Sequence, residues 1–168
     1  WGYKTQAQLQ GIADRLRSDR IPADAVVADI DYLDRYRVFT VGKEHHPDLP
    51  GLVSRLAGQK LELMLITDLH VPHVADGSYP PYESGHAADI FLKNPDGSEY
   101  VGKVWPGECV FPDFTRPKAR EWWGEQYRFL VDMGVHAFWN DMNEPAIFEV
   151  KSKTMPLDTV HRIEEPGF

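Results

Sequence analysis

The chain has 168 residues, 42% hydrophobic and 26% charged, which is the composition of a folded domain with a core and not of a disordered tail. Eighteen Lys and Arg against 26 Asp and Glu give a formal net charge of −8, so the clustered cationic surface that nucleic acid requires is missing. A single cysteine, Cys109, excludes an internal disulfide and a cysteine-built zinc site, fits a reducing compartment and so weakly favours the cytoplasm.

No apolar run approaches the roughly 20 residues of a spanning helix, so no membrane partner is expected. The opening residues WGYKTQAQLQ carry no signal-peptide core, and a chain that begins on Trp1 without an initiator methionine reads as an excerpt.

In chain order, Leu9, Ile12, Ala13 and Leu16 recur at helical spacing behind a Thr5/Gln8 capping box, which predicts a helix from about Gln6 to Ser18. After Pro22, the short run Ala25 to Ile30 is Val-rich and predicts a buried strand. Leu49, Leu52, Val53 and Leu56 form a second helical stripe closed by Gly58, followed by a strand over Leu61 to Thr67. A third helix is expected from Pro117 to Gly134, with Thr115 as its candidate cap and with Trp122 and Trp123 assigned to the core. Val135 to Trp139 then gives a third strand.

Strands alternating with helices imply an α/β fold with a parallel sheet, its two faces buried by crossover helices. One connection is anomalous. Residues from about 68 to 115 read as a long loop or insertion rich in Tyr, Trp, His, Asp and Pro, with a hairpin-like turn at Asn94-Pro95-Asp96-Gly97. No internal repeat or low-complexity tract interrupts the pattern.

The strands share a rule: an acid closes each of them. These are Asp29, Asp68 and Asp141, with Asp31 and Glu144 close behind. Catalytic groups of parallel α/β folds gather at the carboxyl ends of strands. Carboxylates converging with Trp105, Trp139, Tyr32 and Tyr82 suggest a carbohydrate site, because aromatic faces pack on sugar rings while acids hold hydroxyls. Two bland readings compete: an acid just past a strand is often only the cap of the next helix, and the loop Asp68, His70, His73 and Asp76 offers metal-ligand types without a rigid ligand spacing. In FWNDMNEPAIFE, Asp141 and Glu144 stand too close along the chain to act as two partners on one atom, which leaves Glu144 a supporting role through hydrogen bonding.

WNDMNEP, Trp139 to Pro145, resembles the signature of glycoside hydrolase family 31, the retaining α-glucosidases and their relatives. The resemblance extends through WGYK at the start, IPADAVVADIDYLDRYRVFT, the ITD at Ile66 to Asp68, GKVWPG at Gly102 to Gly107, FPDFTRP at Phe111 to Pro117, and the late TMPLDTVH. It implies a partial (β/α)8 TIM barrel over residues 1–168. The three strands would be its second to fourth, the insertion of residues 68–115 would follow the third, and the first strand would precede Trp1.

By that resemblance Asp141 is the nucleophile, while Asp29 and Asp68 accept sugar hydroxyls. Ile30, Ile66, Trp105, Trp139 and Met142 complete the wall of the subsite for the nonreducing glucose. Leu69 stands where many members carry proline, and the family's general acid/base, on a later strand, has no counterpart here.

The implied activity is hydrolysis of α-glucosidic oligosaccharides through a glycosyl-Asp intermediate, with no cofactor and no metal. The implied partners are the sugar and the remainder of the barrel, which must supply the acid/base and cover the open strand edges. The isolated segment is expected to be inactive. The alternatives are a noncatalytic carbohydrate-binding or scaffold module, a metal-dependent hydrolase built on the Asp68 to Asp76 loop, and a transglycosylase, α-xylosidase or lyase of the same family.

Overall fold

The first helix, α1 (Gln6–Ser18), begins where the sequence places it. Thr5 Oγ1 accepts from the Gln8 amide and the Gln8 side chain reaches back to the Thr5 amide, which satisfies two otherwise orphaned donors. The computed structural model describes residues 2–164, so the Trp1 of the WGYK motif lies outside the described residues. The chain divides into two compact units, one made of Trp1–Thr67 and Arg128–Asp141 and the other of Asp68–Tyr127 and Met142–Phe168.

In the first unit, β1 (Ala25–Ala28) pairs in parallel with β2 (Glu62–Asp68), in the register Ala25↔Glu62 to Ala28↔Leu65. A further strand, β3 (Ala137–Asp141), lies on the other side of β2. Two more helices belong to this unit, α2 (Leu49–Gly58), capped by the Asp48 carboxylate on the Gly51 amide, and α3 (Arg128–Asp132). Leu9, Ala13, Leu49, Leu52, Leu56 and Leu130 from the helices pack with Val26, Ala28, Leu63 and Leu65 from the strands in one apolar cluster. Each fully buried leucine there stabilises by roughly 1.5–3 kcal/mol.

Strand alternation leaves Val27 and its partner Met64 on the opposite face, where Val27 is 39% exposed. Helices therefore bury one face of this sheet and not both, a departure from the sequence expectation. In a barrel the second face is filled by side chains from other strands, so no helix is needed there.

The long insertion is no loop. In the second unit, β4 (Val71–Pro72), β5 (Gly102–Val104) and β6 (Gly107–Val110) form an antiparallel sheet in the order β4-β6-β5, and α4 (Pro80–Ala87) and α5 (Pro117–Gln126) pack on each other. The expected turn at Asn94 to Gly97 is present, closed by Asn94 N–H donating to the Ser98 carbonyl at 2.8 Å and by the Lys93–Glu99 bridge. An aromatic ladder holds α4: Tyr82 stacks on Phe91, whose ring meets Trp122 edge-on.

Two expectations for the third helix change. It ends at Gln126, and α3 is a separate short helix in the first unit. Thr115 does not cap it. Its hydroxyl instead donates to the fully buried Asp113 carboxylate at 2.6 Å, because a buried acid needs donors more than a solvated helix end does. Arg162 N–H supplies Asp113 with another donor at 2.7 Å, and the Arg162 guanidinium pairs with Asp89, fastening the late segment to the insertion. That pairing holds the Asp89 carboxyl low, at about 2.

Gly85 sits where a Cβ would lie 2.4 Å from Phe91 Cζ. Gly85→Ala gains up to about 1 kcal/mol of helix propensity but collides with a buried ring, and overpacking of that kind costs about 1–3 kcal/mol. We expect a net loss of stability, read as a lower denaturation midpoint, with Phe91→Leu in the same background restoring part of it.

Candidate active site at the strand carboxyl ends

Asp141 closes β3, and residues two apart on a strand share a face, so Asp141 and Trp139 point the same way. Phe138, of the opposite parity, packs on the helix-covered core. Trp139 and Asp141 therefore fall on the face of Val27 and Met64, the one without helices. Trp139 is 37% exposed, and the half-buried Asp141 carboxylate has no hydrogen bond or ion pair to any described residue, so its oxygens are uncommitted. The next residue, Met142, has φ +60°, which turns the chain abruptly off the strand. A non-glycine residue in that region carries local strain of the sort that collects at functional sites.

At the end of β1, Asp29 opens a 3-10 turn over Ile30–Tyr32, and its Oδ1 accepts from the Ile30 amide at 2.7 Å. The bland reading of this acid as a cap thus holds for one of its oxygens. Asp29 and Ile30 are half-buried, whereas Ile66, on β2, is 2% exposed.

In the second unit, Asp68 is 2% exposed, with its Oδ2 3.7 Å from Nε2 of the equally buried His70. Burial pushes His70 down to about 3, so at neutral pH this contact is between a carboxyl group and a neutral imidazole and is not an ion pair. Trp105 occupies the two-residue turn between β5 and β6, which Gly107 completes at φ +104°. Its ring is 41% exposed and meets Phe148 edge-on at 4.7 Å. The Phe148 amide in turn donates to the Lys103 carbonyl at 2.7 Å, pinning the segment after Asp141 to the edge of β5.

Of the four aromatics expected to present faces to a sugar, only Trp105 and Trp139 are exposed. Tyr32 is 1% and Tyr82 4% exposed, and each spends its hydroxyl on the protein, Tyr32 on the Ile66 carbonyl and Tyr82 on Glu99. Burial and Glu99 push the Tyr82 phenol up to about 12. The burial of these tyrosines was not legible in the sequence.

Glu144 is exposed and has no hydrogen-bond partner among the described residues, so the support expected from it is not found there. Phe148 was present in the same motif stretch without an assigned role; its spacing gave no sign that it would meet Trp105. The Asp68 to Asp76 loop does not gather into a cluster. Asp76 closes its own turn on the Ser78 amide, His73 packs edge-on to Tyr82, and among the described residues no three His, Cys, Asp or Glu side chains converge as metal ligands.

An unfolded imidazole takes up a proton near pH 6.5, whereas His70 in the fold does so only at about 3. The unfolded chain binds more protons in that window, so His70 withdraws stability as pH falls from about 6.5 toward about 3. We expect His70→Gln to flatten the acid limb. The drop in denaturation midpoint between pH 7 and pH 4 will be smaller than in the unsubstituted protein.

Residues 1–166 match the family described as "Glycosyl hydrolases family 31 TIM-barrel domain". The chain is 38% identical over 161 residues to Alpha-glucosidase 2 of Bacillus thermoamyloliquefaciens, covering 96% of this chain and 20% of that one. It is 34% identical over 164 residues to Neutral alpha-glucosidase AB of Sus scrofa, covering 96% and 17%. Among solved structures, the glucosidase II alpha subunit in its alpha3-Glc2-bound form superposes with a TM-score of 0.90 at 30% identity, covering 96% of this chain and 18% of that one. The chain therefore spans about a fifth of the length of the curated relatives it matches. No helix among the described residues is long and apolar enough to cross a membrane.

Proposed function

The chain belongs to glycoside hydrolase family 31, as part of its TIM-barrel domain, and on that footing we propose that it carries the nucleophile of a retaining α-glycosidase acting on α-glucosidic oligosaccharides. The observation that carries the reading is Asp141. It ends a strand on the face without helices, shares that face with the exposed Trp139, and has no hydrogen bond or ion pair among the described residues.

In this reading Asp141 attacks the anomeric carbon, the glycosidic bond breaks, and the leaving oxygen takes its proton from a second carboxyl group about 5–5.5 Å away. Water activated by that second group then releases the sugar from the aspartyl ester. The second group belongs to a later strand of the barrel, and the remainder of the barrel is the partner that supplies it.

The other roles follow residue by residue. Asp29 accepts one sugar hydroxyl, and Asp68 accepts another. Ile30, Ile66 and Met142 supply apolar wall, while Trp105 and Trp139 offer ring faces to the pyranose, a surface on which a sugar's C–H face buries apolar area. The relatives named as α-glucosidases and the structure solved with an α3-linked diglucoside favour glucosides over other α-glycosides.

In the intact enzyme we expect Asp141→Asn to lower kcat by at least about a thousandfold with the fold retained. A mechanism-based glycosyl label should be found on Asp141 by peptide mapping. A label on another carboxylate would remove Asp141 from this role, and sugar binding with no covalent intermediate would favour a noncatalytic binding module.

The 168 residues assayed alone are expected to give no appreciable turnover of a chromogenic α-glucoside, because leaving-group protonation contributes about 10²–10⁴-fold. Robust turnover by the purified chain would place an acid/base within it. Activity of the intact enzyme that persists in a strong chelator would separate this reading from a metal-dependent hydrolase.

A further inference from the structure

The last paired residues of the parallel ladder are Ala28 and Leu65. Asp29 and Ile30 follow that last pair, and the proposed function asks them to meet a sugar at a set distance. The side chain of Tyr32 links their turn to β2. Tyr32 Oη donates to the Ile66 carbonyl at 2.9 Å, one residue past the end of the ladder, from a ring that is 1% exposed.

The backbone of Tyr32 is held as well. Its amide donates to the Asp29 carbonyl at 3.2 Å, closing the turn, and its carbonyl accepts from the Gly42 amide at 2.8 Å. Gly42 approaches so closely that a Cβ there would lie 3.1 Å from the Leu33 carbonyl oxygen.

We propose that Tyr32 is a positioning residue that ties the Asp29–Ile30 turn to Ile66 and so sets the distance between two walls of the sugar subsite. The inference rests on the reading of Asp29, Ile30 and Ile66 as sugar-contacting positions. The phenol hydroxyl ties the turn to β2 one residue beyond the last pair of the ladder. A phenylalanine would fill the same buried volume and remove that tie. Errors of that size in a binding wall reduce catalysis without touching the nucleophile.

The test is a double-mutant cycle in the intact enzyme, with kcat and KM measured on a chromogenic α-glucoside and the melting temperature measured alongside. Tyr32→Phe is expected to lower kcat/KM about tenfold in the otherwise unsubstituted enzyme and less than about twofold in an Asp29→Ala background, while lowering the melting temperature equally in both. Equal losses of kcat/KM in the two backgrounds, or no loss in either, would overturn the positioning role and leave the subsite reading intact. No effect of Asp29→Ala itself would instead overturn the subsite reading, and the proposal with it. If Tyr32→Phe does not fold, Gly42→Ala pushes on the same turn from its other side. The same background dependence is then expected, and its absence is equally fatal.

Discussion

The parallel pairing of β1 with β2, coated by helices on one face only, is the constraint from which the chemistry of the first unit follows. Helix burial consumes Val26, Ala28, Leu63 and Leu65, and alternation then sends Val27, Met64, Trp139 and Asp141 to the other face. A one-residue shift of β3 against β2 would turn Phe138 out of the core and put the Asp141 carboxylate into it. The leucine cluster, against which Phe138 packs, therefore decides which way Asp141 points, although it lies on the opposite side of the sheet.

The insertion solves a different problem. It has too few long helices to build a leucine core of the first unit's kind, and it is ordered by mixed means. Leu92, Tyr100, Val104, Cys109, Phe111 and Ile147 form a small apolar cluster, and a buried Asp113 gathers donors from Thr115 and Arg162. Burial raises the Cys109 thiol far above its usual range, so this cysteine serves as a small apolar side chain and not as a nucleophile. The stretch after Asp141 is drawn into the same unit through the Phe148 amide on Lys103 and the Val160 pairing with Lys93. The motif that carries the proposed nucleophile thus continues directly into the insertion's own framework.

Local signals in the sequence were reliable where one short-range interaction decides the outcome. The Thr5/Gln8 box, the Gly58 stop of α2 and the Asn94 to Gly97 turn all stand where their residue types require. Signals failed where burial elsewhere in the fold decides the partner. Thr115 has the chemistry of a cap, but the buried Asp113 takes its hydroxyl. Tyr32 and Tyr82 have the chemistry of sugar platforms, but each is buried with its hydroxyl used by the protein. The insertion read as a loop because its strands are two to four residues long, too short for period-two alternation to show, and because its order comes from contacts far apart in the chain.

Asp141 and Glu144 of FWNDMNEPAIFE, three residues apart, end in different environments for a reason visible in the backbone. Asp141 is the last residue of a strand and inherits the strand's direction, on the face shared with Trp139. Met142 then enters the left-handed region, and the direction is lost. Glu144, beyond that turn, is exposed and has no partner among the described residues. A strand end followed by an abrupt turn aims one side chain and releases the next, so the geometry favours one acid of the motif as the attacking group. A retaining mechanism needs its second carboxyl group across the scissile bond, and an acid on the same short segment would approach from the same side as the first.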